Sequence, residues 1–143
     1  MKDANSPSIS ICLATYNRVE YLKLQLDSFV KQSQLPSEIV IVDDCSQDST
    51  YEYLTSFSES APFEVRIHRN TKNLGYGASF MKSLSMAEGD YIFFADDDDV
   101  WFERKIERML LNASENPDAW ALMNDAYITD EHLRKSGLTK IEQ

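Results

Sequence analysis

Four consecutive aspartates, Asp96 to Asp99, follow directly on the apolar run Tyr91–Ala95 (YIFFA) and precede the aromatic pair Trp101–Phe102. Four carboxylates in a row repel one another strongly unless a cation is near. Hard divalent ions take oxygen ligands, and Mg2+ typically uses one or two carboxylates together with substrate phosphates. An ion bridging a diphosphate offsets the charge that develops as the diphosphate leaves. The competing reading, a solvated acidic loop, is weakened by the apolar strand and the aromatic pair that pin the run at both ends. A second acidic pair, Asp43–Asp44, closes the run Ile39–Val42 (IVIV). A carboxylate there can accept from a base imide or a ribose hydroxyl, or cap the helix that follows. Thr15 and Tyr16 follow another apolar run, where the tyrosine ring can stack on a base or pack into the core. His68 and His132 have no partner at ligand spacing and read as surface or satisfied polar groups.

Strands and helices must position these groups. Ile9–Leu13 (ISICL) reads as a strand covered on both faces. Asn17 with Glu20 reads as a capping box for a helix whose apolar stripe is Val19, Leu22, Leu26, Phe29 and Val30, with Pro36 ending the element. Ile39–Val42 is a second strand, a helix runs from Asp48–Ser49 to Phe57, and Val65–His68 is a third strand. The stretch from Asn70 to Gly77 is turn-rich and holds Gly75 and Gly77. A helix from Gly77 to Ala87 is closed by Gly89 as its C-cap. The strand Tyr91–Ala95, a helix over Lys105–Leu111 and a fifth strand over Ala119–Met123 complete the pattern. Trp101, Trp120 and the methionines read as core or as the floor under the site, and residues 129–143 as a polar tail. This alternation predicts an α/β fold: three layers, α/β/α, around a mainly parallel central sheet. Ligands of such sheets bind beyond the carboxyl ends of the strands. The clusters Ala14–Asn17, Asp43–Asp44 and Asp96–Asp99 all fall at those ends and should converge.

A length of 143 residues suits one domain, 1–143, with one buried core, and 43% hydrophobic residues mark it as globular. The net charge of −10, from 24 acidic against 14 basic side chains, argues against nucleic acid as a partner. Cys12 and Cys45 read as free thiols in a reducing cytosol. No apolar run approaches the ~20 residues of a membrane span, so a soluble chain is expected, cytoplasmic and either free or at the inner face of the membrane.

The strings ISICLATYNR, EIVIVDDCSQDST, NLGYGASF and AEGDYIFFADDDDVWFERKIERM stand in one order, with ALMNDAYITDE after them. Together they resemble the N-terminal, nucleotide-sugar-binding part of family 2 glycosyltransferases of the GT-A fold, over residues 8 to 128. The resemblance implies that Ala14, Thr15 and Tyr16 line the nucleotide pocket and that Asp44 contacts the base, with Asp43 close to it. Asn73 and Gly75 would shape the loop beside the nucleotide. Asp96 and Asp98 match the acidic positions of a DxD motif, with Asp98 as the direct ligand of Mg2+ or Mn2+ and Asp96 nearer the ribose and diphosphate. Asp97 fills the variable middle position, and Asp99 extends the motif. The implied activity is inverting, metal-dependent transfer of a sugar from a UDP- or dTDP-sugar to a hydroxyl of a glycan or lipid-linked acceptor, in cell-surface polysaccharide biosynthesis. The pairing of NLGY with DDVW is similar to a subgroup of rhamnosyltransferases.

Two departures matter. Ser79, Phe80 and Met81 stand where many members carry Ala-Arg-Asn, so no donor-side arginine carries over. Members place the catalytic base in an acceptor-binding half; Glu131 and Glu142 match no such motif, and no base is assigned. The C-terminal part of the fold is thus expected to be truncated, with self-association through the apolar surface it would leave exposed. The alternative is a nucleotide-sugar-binding fragment or module without turnover. A haloacid-dehalogenase phosphatase or a receiver domain fits less well, because each needs its acidic motif on the first strand.

Overall fold

The computed structural model describes residues 6–139. Four strands form one parallel sheet: β1 (Ile9–Thr15), β2 (Glu38–Asp43), β3 (Glu64–Arg69) and β4 (Tyr91–Ala95), in the order β3-β2-β1-β4. Helices α1 (Val19–Val30), α2 (Thr50–Ser60) and α3 (Tyr76–Met86) connect them. The first two crossovers step one way across the sheet and the third steps back past β1. Right-handed crossovers therefore place α1 and α2 on one face and α3 on the other. That reversal makes the β1–β4 junction a topological switch point, where a crevice opens beyond the strand ends. The three-layer α/β architecture expected from the alternation is present.

Burial follows strand position. β1 and β2 are buried at every residue, as their near-continuous apolar runs require for central parallel strands. β4 lies at the sheet edge, and Tyr91, Ile92 and Phe94 are exposed although the run is just as apolar. The acidic run is thus pinned from one side only: Trp101 is buried against Phe29 and Phe93, whereas Phe102 is exposed.

Several expectations need correction. Asn17 does not cap α1; the N-cap is Arg18, and no side chain caps it. Asn17 instead adopts a left-handed φ of 54° and accepts the Gln47 backbone N–H at 2.7 Å, joining the loops after β1 and β2. α1 ends at Val30, well before Pro36, and Val30 is exposed while Gln25 and Ser28 are buried. α3 ends on Ala87, so Gly89 is no C-cap. Its lack of a side chain lets β4 approach β1: a Cβ there would lie 2.5 Å from the backbone nitrogen of Ser10.

The chain divides into two compact units, 1–107 and 108–143, with α4 (Lys105–Glu115) running across the division. Residues 119–123 form no strand, and Trp120 and Met123 are fully or almost fully exposed, as Met81 largely is, so none of these forms core or floor. A short antiparallel pair joins β5 (Tyr127–Thr129), at the start of the stretch read as polar tail, to β6 (Lys135–Thr139) within it. Glu142 lies outside the described residues.

At the opposite end of the sheet from the aspartates, Glu38 is buried at the start of β2. It accepts from Ser10 Oγ (2.5 Å) and the Glu88 backbone N–H (2.8 Å) and pairs with Arg66 (2.5 Å). Burial pushes its carboxyl upward, but these donors outweigh it and hold the group below the ordinary glutamate range. A depressed carboxyl stabilises the fold fully above its unfolded pKa, and that stabilisation is lost as pH falls through the folded value. Urea midpoints measured downward from pH 7 should therefore fall below about pH 4.3, and Glu38→Gln should flatten that fall.

Candidate functional site

A cleft of about 280 Å3 opens beyond the carboxyl ends of β1, β2 and β4. It is lined from β1 by Ala14, Thr15, Tyr16 and Arg18, from β2 by Asp44, from the loop and first turn of α3 by Asn73, Gly75, Tyr76 and Ser79, and from β4 by Asp97. The three clusters read from the sequence do converge. Asp43 does not reach the cleft lining: it is fully buried, accepts the Ser46 backbone N–H at 3.2 Å and pairs with Arg69 at 3.3 Å. Asp96 and Asp98 also lie outside the lining and are solvent-exposed.

Asp44 organises the glycine-rich loop. Its Oδ1 accepts from Asn70 Nδ2 (2.8 Å) and the Leu74 backbone N–H (2.9 Å), and its Oδ2 accepts the Gly75 N–H (2.8 Å). Burial pushes this carboxyl upward, but the hydrogen bonds, with Ser79 adding to them, hold it below the usual aspartate range. The loop needs a glycine where it turns into α3: Gly75 has φ 86° and ψ 157°, a region closed to other residues. Asn73 Oδ1 also accepts the Gly75 N–H, at 3.1 Å.

The four aspartates are not equivalent. A turn follows β4, with the Asp99 N–H donating to the Asp96 carbonyl at 3.4 Å. This directs Asp97 inward, where Thr15 Oγ1 donates to it at 2.9 Å and Arg18 lies 3.9 Å away. Burial raises the Asp97 pKa; Thr15 and Arg18 work against the rise, and the charges of Asp98 and Asp96 add to it. Asp96 accepts from the Tyr76 hydroxyl at 2.5 Å. The Tyr76 phenol is pushed well above its ordinary range by burial, then by the hydrogen bond to Asp96 and the charges of Asp96, Asp97 and Asp98, so it remains a donor. Beneath the turn, the buried Gln25 of α1 donates its Nε2 to the main-chain carbonyl of Asp96.

Sequence reasoning left out Arg18, Tyr76, Ser79 and Gln25. Arg18 and Tyr76 stand inside the strings ISICLATYNR and NLGYGASF but were given no role, so adjacency to a strand end and to Gly75 was the signal available. Gln25 had a clearer one, since it is a polar residue on the buried face of α1 beside Leu22 and Leu26.

Among the described residues, no three His, Cys, Asp or Glu side chains are placed to hold a metal ion by themselves. Two exposed carboxylates, Asp96 and Asp98, do suit an Mg2+-type ion completed by substrate phosphates. Their negative potential is felt by both neighbouring titratable groups, which is the electrostatic condition a cation relieves.

Known proteins are similar to this chain in sequence and in fold. An uncharacterized glycosyltransferase of Nostoc sp. is 32% identical over 122 residues, 85% of this chain and 37% of that protein. Abequosyltransferase RfbV of Salmonella typhimurium is 40% identical over 94 residues, 64% of this chain and 28% of that protein. The crystal structure of S. aureus TarS 1–349 in complex with UDP-GlcNAc superposes with a TM-score of 0.69 at 28% identity, over 76% of this chain and 31% of that one. The chain thus spans well under half the length of the relatives it matches. The family described as Glycosyl transferase family 2 matches residues 10–140, and with a GT-A sheet carrying the cleft at its switch point, this chain belongs to that family.

Proposed function

We propose that the chain forms the donor-binding part of a glycosyltransferase that moves a sugar, with inversion, from a nucleoside diphosphate sugar to an acceptor hydroxyl. The observation carrying this reading is the convergence of Thr15, Tyr16, Asp44, Gly75 and Asp97 on one cleft. Tyr16 offers a ring to the base. Asp44, with Asp43 buried behind it, presents the carboxylate on the base side, and Asn73 and Gly75 shape the wall beside the ribose. The diphosphate lies toward Asp96 and Asp98, near the first turn of α3, whose N-terminal dipole favours negative charge. A divalent cation, Mg2+ or Mn2+, when bound at Asp98 with Asp96 beside it, neutralises the diphosphate and stabilises it as a leaving group. Arg18 supplies positive charge at the cleft in a chain of net charge −10. The similar TarS, in complex with UDP-GlcNAc, supports a uridine diphosphate sugar as the donor, and the pairing of NLGY with DDVW keeps a thymidine diphosphate sugar as the other candidate. A glycan or lipid-linked acceptor follows from the same reading.

Both acidic groups that line the cleft are already engaged, Asp44 by the loop and Asp97 by Thr15. Neither is placed as a general base. That favours donor binding without turnover as the second reading for this chain by itself.

Titration calorimetry with UDP and dTDP, with and without Mn2+, tests the proposal. Nucleotide binding should strengthen with Mn2+, and Asp98→Asn should remove that gain, weakening binding by roughly 100-fold with an unchanged melting temperature. Absence of metal-dependent binding of either nucleotide would sink the reading.

A further inference from the structure

Tyr76 is held from two directions. Its backbone follows Gly75, whose N–H is fixed by Asp44. Its ring stacks on Phe80 of α3, with centroids 5.4 Å apart at 27°, and Phe80 packs in turn on Phe94 of β4 at 5.3 Å. The hydroxyl of this braced ring donates to Asp96 Oδ1 at 2.5 Å. Asp96 is an exposed carboxylate on a turn, and without a partner its side chain would rotate among several orientations. Asp97, by contrast, has its own donor in Thr15.

We propose that Tyr76 is a positioning residue for the diphosphate and its cation: by occupying Asp96 Oδ1, it holds the carboxylate in one orientation and leaves Oδ2 for a divalent ion that would accompany a nucleoside diphosphate. The inference rests on the donor-binding reading above and deepens it. Carboxylates that ligate metals are themselves held by outer hydrogen bonds, and losing such a partner typically costs about 10–100-fold in metal affinity. The arrangement also links the two ends of the cleft. Asp44 fixes the loop on the base side, and one residue further on the same loop fixes Asp96 on the diphosphate side.

Tyr76→Phe removes the hydroxyl and keeps the ring and its stack. The experiment titrates Mn2+ into the protein with UDP present, and UDP into the protein in metal-free buffer, for wild type and variant. Expected are an Mn2+ affinity lowered by about 10–100-fold, a smaller loss of UDP affinity in metal-free buffer, and an unchanged thermal melt. In an Asp96→Ala background, which leaves the Tyr76 hydroxyl no side-chain acceptor at position 96, the same substitution should have no further effect on Mn2+ affinity. An unchanged Mn2+ affinity in Tyr76→Phe, alongside metal-dependent binding by the wild type, overturns the inference and leaves the donor-binding reading standing. A loss that is equal without metal, or that persists in the Asp96→Ala background, also overturns it and marks Tyr76 as merely structural. A wild type without metal-dependent UDP binding, where dTDP fails too, removes the donor-binding reading and this inference with it.

Discussion

Asp44→Ala is expected to abolish nucleotide binding and to lower stability by about 3 kcal/mol. The side chain is 3% exposed and accepts three hydrogen bonds, two of them from main-chain N–H groups of the glycine-rich loop. Removing it leaves the Leu74 N–H without its acceptor and the Gly75 N–H with only the longer contact to Asn73 Oδ1, and hydrogen bonds to a charged group are the stronger kind. Asn70 loses one of the two acceptors its Nδ2 serves, keeping Ser79 Oγ. The loop then has no reason to hold Gly75 in its unusual conformation, and the cleft wall made by Asn73, Gly75 and Tyr76 goes with it. Urea denaturation and UDP titration check both halves of the expectation. A stability loss below about 1 kcal/mol, a typical neutral hydrogen bond, would show that the loop is held by other means. Asp44→Asn should fall between, since it retains one acceptor oxygen but turns an amide toward the remaining donors.

Gly89→Ala should destabilise by a similar amount, about 3 kcal/mol, although it precedes the amino end of β4 and the cleft lies beyond the carboxyl end. The added Cβ would meet Ser10 N at 2.5 Å, Ser10 Oγ at 2.7 Å and Ile9 C at 3.0 Å. Two of these atoms belong to the main chain of β1, so no side-chain rotation relieves the overlap. The hydrogen bond from Gly89 N–H to Ser10 Oγ, 2.7 Å long, would be displaced as well. Gly77 provides the control, because a Cβ there meets nothing within 4 Å and alanine favours the helix. Urea midpoints of the two variants should move in opposite directions; a Gly89→Ala midpoint equal to that of wild type would mean that β1 and β4 separate freely.

The parallel sheet was legible because apolar runs such as Ile39–Val42 are long enough to say strand and uniform enough to say central. The same uniformity misled at β4, where position in the sheet order, which no local pattern records, leaves Phe94 exposed. Apolar content also misled over Ala119–Met123, while the β5–β6 pair was missed because Lys135–Thr139 is mostly polar and exposed. Asn17 and Gly89 share one lesson. Each is a good capping residue by type, and each is claimed instead by a tertiary contact, with Gln47 for one and Ser10 for the other. At the site, convergence of the three clusters could be read from topology alone. Which aspartate faces inward could not, because four identical side chains differ only in their neighbours, and Thr15 and Arg18 come from a strand end some 80 positions earlier.

Gln25 gives the acidic turn a mount independent of its side chains. It grips the Asp96 carbonyl, a group every amino acid possesses, and does so from a buried position on a helix. The main chain of the turn is therefore anchored whatever residue stands at position 96, and the neighbouring positions inherit that fixed path. In engineering terms the turn is a socket: the carboxylates at positions 96 and 98 can be exchanged for imidazoles or amides while the strand that carries them stays in register.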